Sequence, residues 1–338
     1  MRVVAQLALS ASEASDGLLY CLRSVMETNP SKKKVFVLIP SYNHHRYIER
    51  CIESVANQSV LPTRLLVIDD GSTDGSVEII ERCLNDLKFD SEFIARENRG
   101  LSKTLNEGFS KSDGDYFAYL GSDDLWYPDF LEQRLMVLES RPDAVLAFGH
   151  SDVLDADNQI TECSSAFEDD WGFFIDGNPM EMLSYGNSPV SSSVVYRRHS
   201  LSGITWNEVS RLEDFEMYLR LARKGPFAFD PAVRSAWRRH GRNASDDSVM
   251  MMNEIVSSID RVEKEGLLSA DWAETFRRRA RFRFARVFLQ NGQKSLAMKI
   301  GFTNLSGRRN ARSLAAYFLR LLIPFSLIKM IKHIRRSR

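Results

Sequence analysis

The chain has 338 residues, of which 43% are hydrophobic and 27% charged, and its formal net charge at pH 7 is zero. This length allows one large core or two modest ones, and the composition is that of an ordinary globular protein. No stretch reaches the ~18 uncharged apolar residues that a membrane span requires, which excludes an integral membrane protein with apolar spanning helices.

Cysteine usage excludes two further classes of protein. The four cysteines form no CxxC pair, so the sequence predicts neither a zinc site nor a disulfide framework. Cys51 and Cys83 fall on apolar helix faces, and we expect both in the core. A reducing cytosol fits this pattern, and Met1 to Ser12 contains no convincing signal-peptide core.

Strands and helices alternate from residue 32, which predicts a parallel sheet built of βαβ units. Residues 1–31 are an extension, 32–247 the α/β domain and 248–338 a helical region. The first expected elements are a strand whose apolar run ends at Ile39, a helix with Ile48, Cys51, Ile52 and Val55 on one face, and a strand ending at Ile68. Next come a helix aligning Ile80, Cys83, Leu84 and Leu87, a strand around Phe93 and a helix with Leu101, Leu105 and Phe109. There follow strand 115–120, helix 129–139, strands 144–148 and 190–196, helix 213–224, a loop over 237–245, and helices from about residue 250.

Two apolar runs end abruptly at polar residues. The run ending at Ile39 is followed by Tyr42 and Asn43, and the run ending at Ile68 by Asp69 and Asp70. Ligands of parallel sheets bind beyond the carboxyl ends of the strands, so these side chains are expected to share one crevice. A ring, an amide and carboxylates there suit a nucleotide base and ribose.

Asp123 and Asp124 follow the strand 115–120. Adjacent carboxylates at a sheet edge repel each other unless a cation lies between them, and Mg²⁺ or Mn²⁺ is commonly held this way together with phosphate oxygens. The alternative is a solvated turn whose second aspartate caps the next helix. The neighbouring nucleotide crevice favours the metal.

Three other segments have both a chemical and a structural interpretation. Glu213 and Asp214 open a helix, where acids complement the helix dipole, but one could also take a proton from a hydroxyl nucleophile. Residues 237–245 include Arg239 and His240, which suit phosphate or metal, or they form an exposed basic loop. Gly100, before a helix, brings backbone N–H groups near an anion or simply makes a turn.

The ordered motifs resemble those of family 2 glycosyltransferases, which have the GT-A fold and invert the anomeric centre. The resemblance covers about residues 34–245 and is carried by Ile39–Asn43, Asp69–Asp74, Glu97–Gly100, Ser122–Asp124 and Leu212–Asp214. It implies a nucleotide-sugar donor, most often UDP-linked, and a glycan or lipid-linked oligosaccharide acceptor.

The resemblance also implies roles for single residues. Pro40 and Tyr42 would line the uracil, Asp70 would accept the base N–H and Asp69 would support it. Asp123 would hold the metal and Asp214 would be the general base, with Glu213 beside it. Arg239 and His240 would approach the diphosphate or the metal.

Gly121 departs from this family pattern, because it stands where the strand usually carries the first aspartate of Asp-x-Asp-Asp. Asp124 could compensate for the missing acid. A non-catalytic nucleotide-sugar or glycan-binding protein on the same fold is therefore the alternative interpretation.

The C-terminal region interleaves aromatic and aliphatic residues with arginine and lysine. Such a pattern predicts amphipathic helices on an anionic membrane surface, or helices packed on the catalytic domain with solvated charges. Both remain open for 272–290, and the membrane is favoured for 320–338. No nucleic-acid recognition module accompanies the charge. The expected location is the cytosolic face of the cell membrane.

Overall fold

A computed structural model describes residues 33–166, 178–240 and 247–324. Within these ranges nine strands form one mixed sheet in the order β3-β2-β1-β4-β8-β6-β9-β5, with β7 beside β6. The strands are β1 (Val35–Ser41), β2 (Arg64–Asp69), β3 (Asp90–Ala95), β4 (Tyr116–Tyr119), β5 (Leu125–Trp126), β6 (Leu146–Leu154), β7 (Ile160–Cys163), β8 (Val195–Arg197) and β9 (Phe227–Arg238).

Ten helices flank this sheet within the described ranges. They are α1 (Ile48–Ala56), α2 (Ser76–Asn85), α3 (Leu101–Ser110), α4 (Phe130–Ser140), α5 (Pro179–Ser184), α6 (Glu213–Leu221), α7 (Ser248–Lys264), α8 (Ala270–Gln290), α9 (Lys294–Thr303) and α10 (Ala311–Leu322). The alternation of strands and helices up to β4 confirms the predicted α/β class.

Strand β1 is buried along its whole length because helices cover both faces of the sheet. Its alternate residues enter different cores: Val37 packs in the cluster that includes α1 and α2, and Leu38 packs in the cluster that includes α3 and α8. This is the reason for the uninterrupted apolar run in the sequence. Strands β2 and β4 lie parallel to β1 on either side, and Ser41 is in register with Asp69.

The second half of the sheet differs in detail from the prediction. The expected strand over 190–196 begins instead as a short 3₁₀ turn at Ser191–Ser193, followed by β8. The Ser193 hydroxyl and backbone N–H both donate to the carbonyl of Val190, and such local bonding competes with strand pairing. The predicted loop over 237–245 is wrong at its start, since Trp237 and Arg238 end strand β9.

Helix α1 buries the four predicted residues, whereas α2 buries Ile80 and Leu84 but leaves Cys83 partly exposed. The core placement of Cys83 was therefore wrong, while that of Cys51 is confirmed. Cys83 lies at the edge of the apolar face, where periodicity alone does not separate core from boundary positions.

The C-terminal helices belong to the same core as the sheet. Helix α8 buries Phe276, Phe282 and Phe288 in the cluster that also contains Tyr196 and Trp206. Arg277 of this helix is paired with acids of α7, since it contacts Asp260 at 2.8 Å and Glu263 at 2.6 Å. The apolar side of 272–290 thus packs on the α/β domain.

In the part of the chain that the structure describes, no helix combines the length and apolarity needed to cross a bilayer. The extension 1–31, the end of the basic tail from residue 325, and 241–245 of the predicted basic loop lie outside the described residues.

Candidate active site

The loops after β1 and β2 are tied together by short hydrogen bonds. The Asp69 carboxylate accepts from the Ser41 hydroxyl (3.1 Å) and from the Ser72 N–H (2.8 Å) and hydroxyl (2.6 Å). The Asn43 N–H donates to Ser72 Oγ (2.8 Å), and Asn43 Oδ1 accepts from the Thr73 N–H (2.9 Å). Asp69 and Asn43, both predicted to bind nucleotide, therefore also hold this edge of the sheet in shape.

Asp70 organises the loop before α3. Its carboxylate accepts from the N–H groups of Arg99 (2.9 Å) and Gly100 (2.7 Å) and from the Arg96 guanidinium. Gly71 allows the turn, because its φ is +83° and a Cβ there would lie 2.8 Å from the Asn98 nitrogen. The backbone of Gly100 is thus hydrogen-bonded to Asp70. The Asp70 carboxylate already accepts hydrogen bonds from the protein itself.

A cleft of about 770 Å³ opens at this edge, and we call it the histidine cleft. Tyr42 is exposed at its rim, and Pro40, at the end of β1, is buried behind it. Its lining includes Tyr42, Asn43, His44, Tyr47, Asp74 and His240.

His44, Asp123 and His240 converge beside this cleft, with their ligand atoms all within 4.8 Å of one another. His44 Nδ1 lies 3.7 Å from Asp123 Oδ1, and His240 Nε2 lies 3.4 Å from Asp123 Oδ2. Two imidazoles and a carboxylate form a donor set that divalent transition metals accept, so the residues present fit a metal ion. In the described ranges this is the one trio of such side chains close enough to share an ion.

Neighbouring groups affect the two imidazoles in opposite directions. Burial lowers the pKa of His44, which favours the neutral form that can ligate a metal. The hydrogen bond with Asp123 raises the pKa of His240. The Tyr47 ring stacks on His240 at 6.0 Å, and the Arg238 guanidinium lies 4.4 Å from the centre of the Tyr47 ring.

Asp124, the other aspartate predicted to bind metal, is buried and is not part of this trio. Its Oδ1 accepts from the Arg238 N–H at 2.9 Å, and Arg238 Nε donates to the Asp123 carbonyl at 2.7 Å. Burial, and then the neighbouring Asp123 carboxylate, raise the pKa of Asp124 well above its usual range. Arg238 thus holds the two aspartates at fixed positions, although sequence reasoning had treated it as part of a loop.

The predicted acids Glu213 and Asp214 open onto a second space of about 420 Å³, which we call the carboxylate cavity. Its other walls include Pro189, Ser191, Arg211, Phe215, Trp237 and Arg283. Burial raises the pKa of Asp214, and burial together with Asp214 raises the pKa of Glu213. A carboxyl whose pKa is raised toward neutral pH suits the role of a general base.

Three buried tyrosines, Tyr119, Tyr196 and Tyr218, lie close to these acids. The rings of Tyr119 and Tyr196 stack in parallel, 6.4 Å apart. Burial raises the pKa of all three, so their hydroxyls stay neutral beside the carboxyls. These neutral phenols add no negative charge near the two acids.

The end of β9 separates the two spaces, since Trp237 lines the carboxylate cavity and His240 lines the histidine cleft. The turn 191–193 also connects them: Ser191 lines the cavity, and the Ser192 side chain faces Asp124. The guanidinium of Arg239, predicted to bind phosphate, lies 5.7 Å from the centre of the Trp237 ring. The predicted residues therefore divide between two adjoining spaces.

Sequence reasoning missed His44 and Arg283. His44 had a signal, because it directly follows Tyr42-Asn43 at the mouth of β1, but a neighbouring histidine at 45 gives the same signal. Arg283 had none, since a helix about 70 residues after Asp214 brings it to the cavity.

Part of the chain matches a family of known proteins. Residues 36–188 match the model of glycosyl transferase family 2. The chain is similar to chondroitin synthase of Escherichia coli, with 29% identity over 219 residues, which are 62% of this chain but 30% of that enzyme.

Two solved structures share the fold. TarS 1–349 of S. aureus in complex with UDP-GlcNAc has a TM-score of 0.55 and 16% identity, over 85% of this chain and 79% of that one. The mannosyltransferase PcManGT of Pyrobaculum calidifontis, in complex with GDP-Man and Mn²⁺, has a TM-score of 0.54 and 16% identity, over 94% and 97% of the two chains. The chain therefore has the GT-A fold, and its residues 36–188 match glycosyl transferase family 2.

Proposed function

We propose that the protein is an inverting, metal-dependent glycosyltransferase that moves a sugar from a nucleotide-sugar, UDP-linked in our preferred version, to a hydroxyl of a glycan or lipid-linked oligosaccharide. One observation carries the proposal. A cluster of side chains able to ligate a metal, at the mouth of β1 and β4, is accompanied in the adjoining cavity by a partly buried pair of carboxyls with raised pKa values.

The donor is assigned to the histidine cleft. Tyr42 offers an exposed aromatic face for the base, and the loop fixed by Asp69 and Asp70 borders the ribose. Asp123, His240 and His44 would hold the metal, which when bound supplies positive charge that stabilises the departing diphosphate. PcManGT, crystallised with GDP-Man and Mn²⁺, supports this assignment.

The acceptor is assigned to the carboxylate cavity. Trp237 provides an aromatic face on which a sugar ring can pack, and Arg211 and Arg283 bring positive charge to its walls. Asp214 would take the proton of the attacking hydroxyl, and Glu213 would hold the proton that the pair shares. Attack from the face opposite the leaving diphosphate inverts the anomeric centre.

The domain bounds also belong to the proposal. We propose residues 32–247 as the catalytic domain and 248–338 as a further region, in which Arg283 on α8 lines the acceptor side.

We also propose a peripheral membrane contact through the last helices. In α10 only Tyr317 is buried, while Phe318, Leu319 and Leu322 are exposed and Arg312 and Arg320 lie on the same helix. Apolar and basic side chains together favour an anionic bilayer surface. Binding to anionic but not zwitterionic vesicles is expected, and Leu319→Ser/Leu322→Ser should weaken it. Equal binding by the double variant would contradict the contact.

A donor screen tests the enzyme assignment. Purified protein is mixed with UDP- and GDP-sugars in Mn²⁺ or in EDTA, and thermal stabilisation and release of nucleoside diphosphate are recorded. We expect at least one donor to stabilise the protein and to be turned over only with metal, with an inverted anomeric proton coupling in the product. Stabilisation without turnover would support the alternative, a non-catalytic nucleotide-sugar-binding protein.

A further inference from the structure

The sheet edge lacks a carboxylate where one would be expected to help hold a metal. Gly121 has no side chain, and a Cβ built there would lie 3.2 Å from both Asp123 Oδ1 and Asp124 Oδ2. Position 121 therefore faces the same carboxylates that border the cluster, but it contributes no ligand. Asp124 is engaged by the Arg238 N–H and lies outside the trio.

His44 approaches the cluster from the opposite loop. Its ring is 26% exposed and its Nδ1 is 3.7 Å from Asp123 Oδ1. Atoms bonded at about 2.1 Å to one ion lie about 3 Å apart at a right angle and about 4 Å apart when opposite. His44 Nδ1 and His240 Nε2 lie 3.7 and 3.4 Å from different oxygens of Asp123, and one ligand atom from each of the three residues lies within 4.8 Å of the others, so small side-chain movements would bring them to one ion.

The position of His44 is well defined by its contacts. Its backbone N–H donates to Ser76 Oγ at 3.2 Å. Its ring Nδ1 lies 2.8 Å from Oγ of Ser122, the residue next to Asp123. The ring meets His240 edge to face at 5.7 Å and Tyr47 at 6.1 Å. A metal bound at Nδ1 would take the place of the Ser122 hydrogen bond, while the backbone contact and the two neighbouring rings keep the imidazole in position.

We propose that His44 replaces the missing acid at position 121 as a protein ligand, which creates a two-histidine, one-carboxylate site that prefers Mn²⁺ and later transition ions over Mg²⁺. The inference rests on the proposed function only in placing a nucleoside diphosphate on the open positions of the ion. The preference follows from the donors, because Mg²⁺ selects oxygen whereas imidazole suits the transition ions.

Metal titration of the protein without nucleotide is the first test. Mn²⁺ and Mg²⁺ are titrated calorimetrically into metal-free wild type, His44→Ala and His45→Ala. His45 is a matched control, since it is adjacent but its ring pairs with Asp74 at 3.0 Å. We expect His44→Ala to weaken Mn²⁺ binding by about 10- to 100-fold and to change Mg²⁺ binding much less, with His45→Ala like wild type. Unchanged Mn²⁺ affinity in His44→Ala would overturn the proposal.

A spectroscopic readout separates ligation from folding. Pulsed electron paramagnetic resonance of bound Mn²⁺ should show nitrogen couplings from two imidazoles in the wild type and from one in His44→Asn. Thermal unfolding confirms that the variant is folded. Identical nitrogen couplings in the two proteins would exclude His44 as a ligand.

Restoring the acid gives a gain-of-function test. Gly121→Asp/His44→Ala should bind Mg²⁺ more tightly than wild type does and lose the Mn²⁺ preference. A double variant that still prefers Mn²⁺ to the wild-type extent would show that His44 does not set the preference. These measurements need no turnover, so a failed donor screen with His44-dependent Mn²⁺ binding would reject the proposed function and leave this inference standing.

Discussion

The acidic side chains of the histidine cleft and of the carboxylate cavity have different surroundings. Beside the cleft, the Asp123 carboxylate lies between two imidazoles. The Arg238 guanidinium holds this residue in place by donating to its backbone carbonyl. In the cavity, Glu213 and Asp214 lie against buried neutral tyrosines, and the pKa of each acid is raised. One arrangement keeps a carboxylate ready for a cation, and the other keeps a carboxyl pair ready for a proton.

Under the proposed function, this difference separates metal and nucleotide binding from proton transfer at one sheet edge. The end of β9 contributes Trp237 to one space and His240 to the other. Changes in the cleft should therefore alter metal and nucleotide affinity, while changes in the cavity should alter rate.

The largest expected effect is on rate. Asp214→Asn should lower turnover by ~10²–10⁴-fold, the usual contribution of a positioned base, with nucleotide affinity retained. Initial rates of nucleoside diphosphate release measure it. Asp271→Asn is the control, because Asp271 is likewise a first-turn acid but lies exposed on α8. Similar rates for wild type and Asp214→Asn would remove Asp214 from the mechanism.

The next effect is on affinity. Asp123→Asn should weaken Mn²⁺-dependent UDP binding by about 10- to 100-fold, since the carboxylate shared by both histidines is lost. Calorimetry with UDP in Mn²⁺ and in EDTA gives the metal-dependent part. If the variant lost equal affinity in EDTA, Asp123 would act on the nucleotide directly.

Stability should change with pH in a direction set by Asp214. Its pKa is raised in the folded state, so the stability it contributes is present below the unfolded pKa of about 4 and is lost as pH rises through the raised value. Asp214→Asn should therefore gain stability over wild type, on the order of 1 kcal/mol, at neutral pH and not at pH 4. The activity of the wild type should fall as the pH drops through the raised pKa of Asp214, which lies above the ordinary aspartate value of about 4. Denaturant unfolding at the two pH values measures the gain, and an equal difference at both would contradict it.

The smallest expected effect concerns the partner acid. The pKa of Glu213 is raised by burial and by Asp214, so Glu213 keeps its proton at neutral pH. Glutamine mimics that neutral form, and Glu213→Gln should reduce turnover by less than about tenfold. A loss as large as that of Asp214→Asn would mean that the two acids exchange roles.

Local sequence pattern predicted the elements whose burial is local. The apolar runs of β1 and β2 and the face of α1 follow from residues close together in the chain, so they could be recognised. The burial of Arg238 depends on carbonyls and carboxylates of residues 123–155, more than 80 positions earlier. Arg283 and the packing of α8 depend on contacts of the same long range, and periodicity could not choose between core and membrane.

The candidate site was predicted in its residue types more than in its arrangement. Asp123, His240 and Asp214 were expected along one rim, and the structure divides them between two neighbouring spaces. His44 and His45 are the same residue type in sequence, and only the fold turns one toward Asp123 and the other toward Asp74.

Anomalous scattering from crystals grown with UDP and Mn²⁺ tests the division of labour most directly. The account predicts one strong manganese peak between His44, Asp123 and His240, with the diphosphate beside it and Asp214 free of metal. A peak at Glu213 and Asp214, with none beside Asp123, would contradict it.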